Sequence, residues 1–137
     1  MRGIIDLSGK SLPKDVWKRL DEPQLIFLAT SVKDQPILRP VMLINLRRKL
    51  FVTTFKESAK VRQIKMNPKT EFCLFLGESA PPQTRYARVR CNARIVEDKD
   101  VKAKIYNQID FIKRYYQSPD DPRLTLIELQ PLAWWLT

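Results

Sequence analysis

Hydrophobic and polar positions alternate between two patterns along the chain, one typical of strands and one of helices. The strand-like segments are short, apolar, rich in β-branched and aromatic residues, and bounded by polar or proline-containing connections. They predict six strands, at 24–32, 37–45, 50–55, 69–77, 84–98 and 124–130. Apolar residues at helical spacing predict three helices, at 14–22, 58–67 and 98–116.

The order of these elements predicts a mainly β protein with short helices (α+β). Short polar connections at 33–36 and 46–49 join the first three strands, which indicates an antiparallel meander. Six strands with one apolar face remove their exposed edges most simply by closing into a small barrel. No internal repeat or linker interrupts the pattern, so residues 1–137 are predicted to form a single domain.

The composition excludes several classes of catalytic and metal site and indicates which ligands the charge would attract. The chain has no histidine, which removes Ser–His–Asp and Cys–His catalysis and the commonest haem ligand. Cys73 and Cys91 fall in two strands and are predicted to be small core or half-buried residues. Without histidine, no metal site is expected. The 25 Lys and Arg residues against 15 Asp and Glu give a net charge of +10. Such an excess attracts nucleic acid, anionic membranes or phosphorylated ligands.

The sequence also bears on location. No apolar run approaches the roughly 20 residues that span a bilayer. Residues 1–15 carry acidic and proline residues where a signal peptide needs an unbroken apolar stretch. We therefore predict a cytoplasmic protein that does not bind membranes.

A candidate phosphate site is assembled from the second strand, the third strand and the start of the second helix. Its members are Arg39, Pro40, Thr53, Thr54, Ser58 and Lys60. The helix start offers free backbone N–H groups and the positive end of the helix dipole, and the cationic side chains add charge-assisted hydrogen bonds. Proline inside a strand fits an edge, a bulge or a backbone that faces a ligand. The alternative is that the charges are solvated and Ser58 only caps its helix.

Two longer segments carry a family resemblance. FLATSVKDQPILRPV is followed by LFVTTFKESAKVRQIKMNPKTEFCLFL, which contains a Ser-x-Lys start and a helix closing on Asn-Pro. From Gln24 onward, this ordered set resembles the pyridoxamine 5′-phosphate oxidase-like family of FMN-binding split barrels. The later segments ARVRCNARIVED and DDPRLTLIELQP, with the terminal tryptophans, look like its small stress-protein branch.

The resemblance implies a six-stranded antiparallel split β-barrel that binds FMN at a homodimer interface. It implies an oxidoreductase acting on a small redox substrate, with no catalytic side chain assigned. The residues that it would place against the flavin ring are Arg39, Pro40, Val41 and Met42. Those that it would place at the ribityl phosphate are Thr53, Thr54, Ser58 and Lys60. Trp134 or Trp135 of the partner subunit would cover the ring, with Trp135 chosen as the site residue, unless these side chains only pack the dimer core.

Three positions depart from the family pattern. Ala59 stands where pyridoxamine phosphate oxidases have a second basic residue, Cys91 where many members have glycine, and Tyr86 where glutamine is frequent. The basic and tyrosine residues that hold the vitamin substrate are not recognised in this chain. Oxidation of that vitamin is therefore not expected, whereas FMN binding is less affected.

Other functions remain open at this point. The same barrel could hold a deazaflavin, or haem through tyrosine or cysteine, or it could store or sense flavin without turnover. A barrel of a different class could bind single-stranded nucleic acid through a basic strand with an aromatic residue. That strand would supply Arg85, Tyr86, Arg88, Arg90 and Arg94. A solvated barrel face is the simpler interpretation, and nucleic acid is not the expected partner.

Overall fold

The computed structural model describes residues 12–78 and 84–137, and it confirms the mainly β fold with six antiparallel strands in the predicted order. The strands are β1 (Gln24–Val32), β2 (Gln35–Leu46), β3 (Lys49–Phe55), β4 (Lys69–Glu78), β5 (Thr84–Val96) and β6 (Leu124–Leu136). The helices are α1 (Lys14–Arg19), α2 (Ala59–Met66) and α3 (Lys99–Gln108), followed by a 3₁₀ helix at Asp110–Arg114. Residues 1–11, on which the prediction about a signal peptide mainly rests, and most of the predicted loop 78–83 lie outside the described residues. The assignment of a single domain stays a prediction.

The strands close into a barrel in the order β1-β2-β3-β6-β5-β4, with every pairing antiparallel. Alternate residues of the strands point into the barrel, and α1 and α2 add further apolar side chains to the same core. Its members include Val16, Trp17, Ile26, Leu28, Leu43, Val52, Val61, Ile64, Phe72, Leu74, Val89 and Leu129. Burying each large side chain contributes about 1.5–3 kcal/mol of transfer free energy.

Two-residue turns close the first two hairpins. The loops are Lys33-Asp34 and Arg47-Arg48, and all four residues have φ between 48° and 67°. Positive φ at both central positions is the type I′ geometry, which matches the right-handed twist of the flanking strands. Because the first turn is so tight, β2 begins at Gln35 rather than at residue 37 as predicted.

A second apolar cluster covers part of the outer barrel surface. It joins the outward faces of β2, β3 and β6 to α3 and the 3₁₀ helix, through Ile44, Phe51, Ile105, Ile112, Tyr116, Leu124 and Leu126. The prediction of one continuous helix over 98–116 is wrong, because Ile109 is extended (φ −115°, ψ 105°) and separates α3 from the 3₁₀ helix. The break lets both segments pack on the barrel, and the Tyr106 hydroxyl donates a hydrogen bond to the Tyr116 carbonyl (3.0 Å) across it.

β6 continues to Leu136, beyond its predicted end at residue 130. Cys91 pairs with Pro131 whereas Arg90 pairs with Ala133, so the register shifts between them. Proline has no N–H to donate, and a bulge accommodates it within the ladder. The two terminal tryptophans therefore belong to a strand. Among the described helices, none is long and apolar enough to cross a membrane.

Candidate functional site

The ladder between β2 and β3 is short, and the barrel wall opens beyond it. Pairing joins only Ile44–Leu46 to Lys49–Phe51. The same register would set Met42 beside Thr53 and Val41 beside Thr54, but the two strands separate before these positions. Their facing edges carry backbone N–H and C=O groups that no β2–β3 ladder engages, and a ligand can supply such groups with partners.

A cleft of about 200 Å³ occupies this gap. The strands contribute apolar and hydroxyl side chains, α2 contributes a lysine, and aromatic rings form the remaining wall. The lining residues are Val41, Met42, Thr53, Thr54, Phe55, Lys60, Phe111, Tyr115 and Tyr116. An apolar, aromatic wall beside a few polar groups is the usual make-up of a small-molecule site.

Two cations stand close together at the cleft. Burial lowers the pKa of the Lys60 ammonium, and the nearby Arg39 guanidinium lowers that pKa further. Burial also lowers the pKa of Arg39. Within the described chain, neither side chain forms a salt bridge. A bound anion would relieve both the mutual repulsion and the cost of desolvation.

The start of α2 is fixed by its cap. Ser58 Oγ accepts a hydrogen bond from the Val61 N–H (3.4 Å), as the sequence predicts for an N-cap. The Thr54 hydroxyl donates to the same oxygen (3.0 Å) and so ties the end of β3 to the helix. The first turn of α2 contains no acidic residue, which leaves the positive end of its dipole uncompensated within the turn.

The structure brings most of the predicted site residues together. Val41, Met42, Thr53, Thr54 and Lys60 line the cleft. Ser58 lies next to it through its hydrogen bond with Thr54, and Arg39 is near enough for its charge to act on Lys60. Pro40 is exposed on the outer face of β2 and does not line the cleft. Trp135 does not line the cleft of its own protomer either. The roles assigned to these residues in binding stay predictions.

Sequence reasoning missed part of this site. The aromatic wall of Phe55, Phe111, Tyr115 and Tyr116 was not predicted, because three of these residues are separated from the cleft strands by more than fifty positions in the chain. Gln63 was missed as well, although it follows Lys60 by one helical turn. Its Oε1 atom accepts hydrogen bonds from Arg39 Nη2 (2.5 Å) and from the Thr30 hydroxyl (3.0 Å).

Comparison with known proteins decides the family. The profile of the family described as "Pyridoxamine 5'-phosphate oxidase" matches residues 12–137. The chain belongs to this family. The General stress protein 26 of Bacillus subtilis (strain 168) is 25% identical to it over 130 residues, which cover 91% of this chain and 87% of that protein.

Solved structures of similar proteins agree with the pyridoxamine 5′-phosphate oxidase fold. The General Stress Protein 26 of Bacillus anthracis str. Sterne superposes with a TM-score of 0.74 at 26% identity, covering 90% of this chain and 92% of that chain. An F420 reductase superposes with a TM-score of 0.65 at 24% identity, covering 90% and 98%. The second likeness shows the fold alone.

In this member of the pyridoxamine 5′-phosphate oxidase family, the basic fifth strand is ion-paired. Arg85 bonds Asp15 (2.7 Å) and Arg94 bonds Glu128 (2.7 Å). Arg88 and Arg90 share Glu71, at 3.4 and 3.6 Å. Their guanidinium groups also lie over the Trp135 ring, each 4.8 Å from its centroid. These carboxylates compensate the charge that a nucleic acid backbone would need, which disfavours that alternative.

The outer face of β1, β2 and β4 exposes large apolar side chains. We call this surface the apolar face, and its members are Leu25 (56% exposed), Phe27 (49%), Leu38 (68%) and Phe75 (44%). One row of paired residues runs across this face from Pro40 through Phe27, Cys73 and Arg88 to Trp135. Large apolar side chains exposed on one face make that face a candidate interaction site.

Proposed function

We propose that this protein is a flavoprotein that binds FMN in the cleft between β2 and β3 and acts as an oxidoreductase. The observation that carries the proposal is the pair of cations, Lys60 and Arg39, beside a cleft with an aromatic wall. Among the residues that the structure describes, no carboxylate forms a salt bridge with either of them. FMN joins a phosphate monoester to a planar ring, and the cleft offers groups for both. The family supports a flavin, and the cytoplasmic location stays a prediction.

The phosphate end fits the start of α2. Lys60 and Arg39 would supply charge-assisted hydrogen bonds, and the hydroxyls of Thr53 and Thr54 would supply neutral ones. Ser58 positions the helix start, whose backbone N–H groups favour an anion. The anion would in turn favour the protonated form of Lys60, whose pKa burial lowers in the protein alone.

The ring end fits the open strand edge. The backbone at Val41 and Met42 would hydrogen-bond the polar edge of the ring. The Met42 side chain would pack on the ring, because the Val41 side chain packs against the barrel core. When bound, the flavin supplies the electron or hydride transfer, so the chain needs only to position it and tune its charge. That division suits a protein without histidine. The substrate would approach the ring face that the cleft leaves open.

A second copy of the chain would complete the site. Pockets that bury most of a ligand of this size enclose about 300–1,000 Å³, and one protomer supplies about 200 Å³. The apolar face adjoins the cleft, because Met42 lines the cleft and pairs with Leu25 of that face. A two-fold contact over Phe27 is isologous, and we propose that it brings Trp135 of the partner subunit toward the ring.

The test is the visible absorption spectrum of the purified protein before and after excess FMN and desalting. We expect a retained flavin spectrum. Replacing Lys60 by alanine should weaken FMN binding about 10- to 100-fold, because a charge-assisted hydrogen bond contributes about 1.5–3 kcal/mol. The matched control is Lys65→Ala, an exposed lysine on the same helix, which should bind FMN like the wild type.

Each result that would contradict the proposal points to a different alternative. If the wild type retains no FMN, the proposal fails, and coenzyme F420 becomes the next ligand because a structural neighbour is named for it. Retained FMN that nicotinamide donors cannot reduce would support flavin storage or sensing instead of an oxidoreductase. Equal loss of FMN in Lys60→Ala and Lys65→Ala would place the phosphate away from the start of α2.

A further inference from the structure

Arg39 differs in the kind of acceptor that holds it from the three arginines that form the shortest arginine–carboxylate ion pairs of the described chain. Arg85, Arg94 and Arg123 are each bonded to a carboxylate at 2.7 Å. The shortest bond of Arg39 goes to the amide oxygen of Gln63, at 2.5 Å. An amide is neutral, so the positive charge of Arg39 is oriented without being cancelled.

The orientation of the Gln63 amide follows from its two neighbours. A guanidinium can only donate hydrogen bonds, so the amide oxygen and not the amide nitrogen must face Arg39. The buried Thr30 hydroxyl donates to the same oxygen (3.0 Å) and fixes the amide from the other side. Thr30 lies in β1, Arg39 in β2 and Gln63 in α2, so the arrangement connects three elements at the edge of the cleft.

We propose that Gln63 is a positioning residue that holds the Arg39 guanidinium at the cleft with its charge intact, and so makes the cleft selective for a doubly charged phosphate monoester. This inference rests on the proposed FMN function. A glutamate at the same position would form an ion pair with Arg39 and leave Lys60 as the uncompensated cation. The site would then hold one net positive charge where it now holds two.

The consequence is a preference for FMN over riboflavin, which can be measured as the ratio of their dissociation constants. Riboflavin has the same ring and ribityl chain as FMN but lacks the phosphate. Gln63 would act on the phosphate only, so changing it should alter the affinity for FMN and leave the affinity for riboflavin in place. A residue that merely stabilised the fold would change both affinities together.

The experiment measures the dissociation constants of FMN and riboflavin by flavin fluorescence for the wild type, Gln63→Glu and Gln63→Leu. We expect Gln63→Glu to lower FMN affinity about tenfold or more while riboflavin affinity changes little. Gln63→Leu keeps the charge of Arg39 but removes its nearer acceptor and leaves only the Thr30 hydroxyl at 3.5 Å. We expect a smaller loss, again confined to FMN. Gln35→Glu is the control, because it makes the same charge change at an exposed residue of the first hairpin.

The outcomes separate this inference from the proposed function. If the wild type binds neither flavin, the proposed function fails. If it prefers FMN over riboflavin and Gln63→Glu keeps the same preference, the role of Gln63 is wrong while FMN binding stands. A parallel loss of both flavins in Gln63→Glu and Gln63→Leu would reduce Gln63 to a structural contact. Inorganic phosphate, as a competitor against FMN, should be less effective in Gln63→Glu than in the wild type.

Discussion

At the residue scale, the lowered pKa of Lys60 gives a prediction about how FMN affinity depends on pH. A free lysine has a pKa of about 10.4, and burial together with the Arg39 charge lowers the pKa of Lys60 in the protein. Phosphate binding needs the protonated ammonium. The affinity for FMN should therefore fall as the pH rises through this lowered pKa, earlier than an ordinary lysine would cause.

The measurement is FMN affinity as a function of pH for the wild type and for Lys60→Arg. Arginine stays protonated across the accessible range, so the variant should retain its affinity at alkaline pH where the wild type loses it. Titration of the flavin itself affects both proteins equally and cancels in the comparison. Identical alkaline profiles would mean that Lys60 does not contact the phosphate.

At the element scale, the first hairpin stores strain that can be removed. Lys33 and Asp34 both adopt left-handed φ values, 48° and 67°, which cost a non-glycine residue about 1–2 kcal/mol each. Asn-Gly is the preferred pair for this turn type. The double variant Lys33→Asn, Asp34→Gly should raise the free energy of unfolding by about 1 kcal/mol, because glycine gives back part of the gain as chain entropy.

Urea unfolding of this variant and of Lys49→Asn, a change outside the turn, would check the effect. The midpoint should rise for the turn variant with the m-value unchanged. A lower midpoint would show that the Lys33 or Asp34 side chain makes a stabilising contact that outweighs the backbone strain.

The attachment of α3 and the 3₁₀ helix gives a second prediction at this scale. Ile112 is completely buried in the outer cluster, and the 3₁₀ helix that carries it also carries Phe111 of the cleft wall. Ile112→Ala should destabilise the protein by about 2–5 kcal/mol and weaken FMN binding at temperatures well below unfolding. Lys113→Ala, a change at an exposed neighbour, should alter neither the stability nor the FMN affinity. Stability loss with unchanged FMN affinity would show that the wall does not contact the cofactor.

The same elements show how far the sequence determines the structure. Alternation and turn residues predicted all six strands, and apolar residues at helical spacing predicted helical structure over 98–116. That spacing could not show the break at Ile109, because periodicity reports which side chains face a core and not whether the backbone hydrogen bonds continue. The aromatic wall was out of reach for a related reason, since it depends on where the 3₁₀ helix docks.

The candidate site also contains residues that the sequence could predict and residues that it could not. Residues local to the β2, β3 and α2 segments could be found from their order, because the Arg-Pro-Val and Ser-x-Lys segments are close in the chain. The tether from Gln63 to Arg39 spans 24 positions and joins a helix to a strand. This contact depends on which face of α2 turns toward β2, and the residue types of the two segments do not show that.

At the scale of the whole molecule, cofactor and partner should assist each other. If a second copy completes the cleft, FMN must bind the dimer more tightly than the monomer. Linkage then requires FMN to tighten the dimer by the same factor. We expect the dimer dissociation constant, measured by sedimentation over a dilution series, to fall about 10-fold or more when FMN is saturating, which is a coupling free energy of about 1.4 kcal/mol.

Phe27→Glu tests whether the apolar face carries this coupling. A charge at the centre of the face should leave the monomer folded, because the side chain is 49% exposed, but it should separate the subunits, since burying an unpaired carboxylate is costly. FMN affinity should fall with dimerisation. Met66→Glu makes the same change at a more exposed apolar residue on α2, 77% exposed, and should preserve both. A Phe27→Glu monomer that binds FMN as tightly as the wild type would mean that one chain forms the whole site, and the apolar face would then need a different occupant.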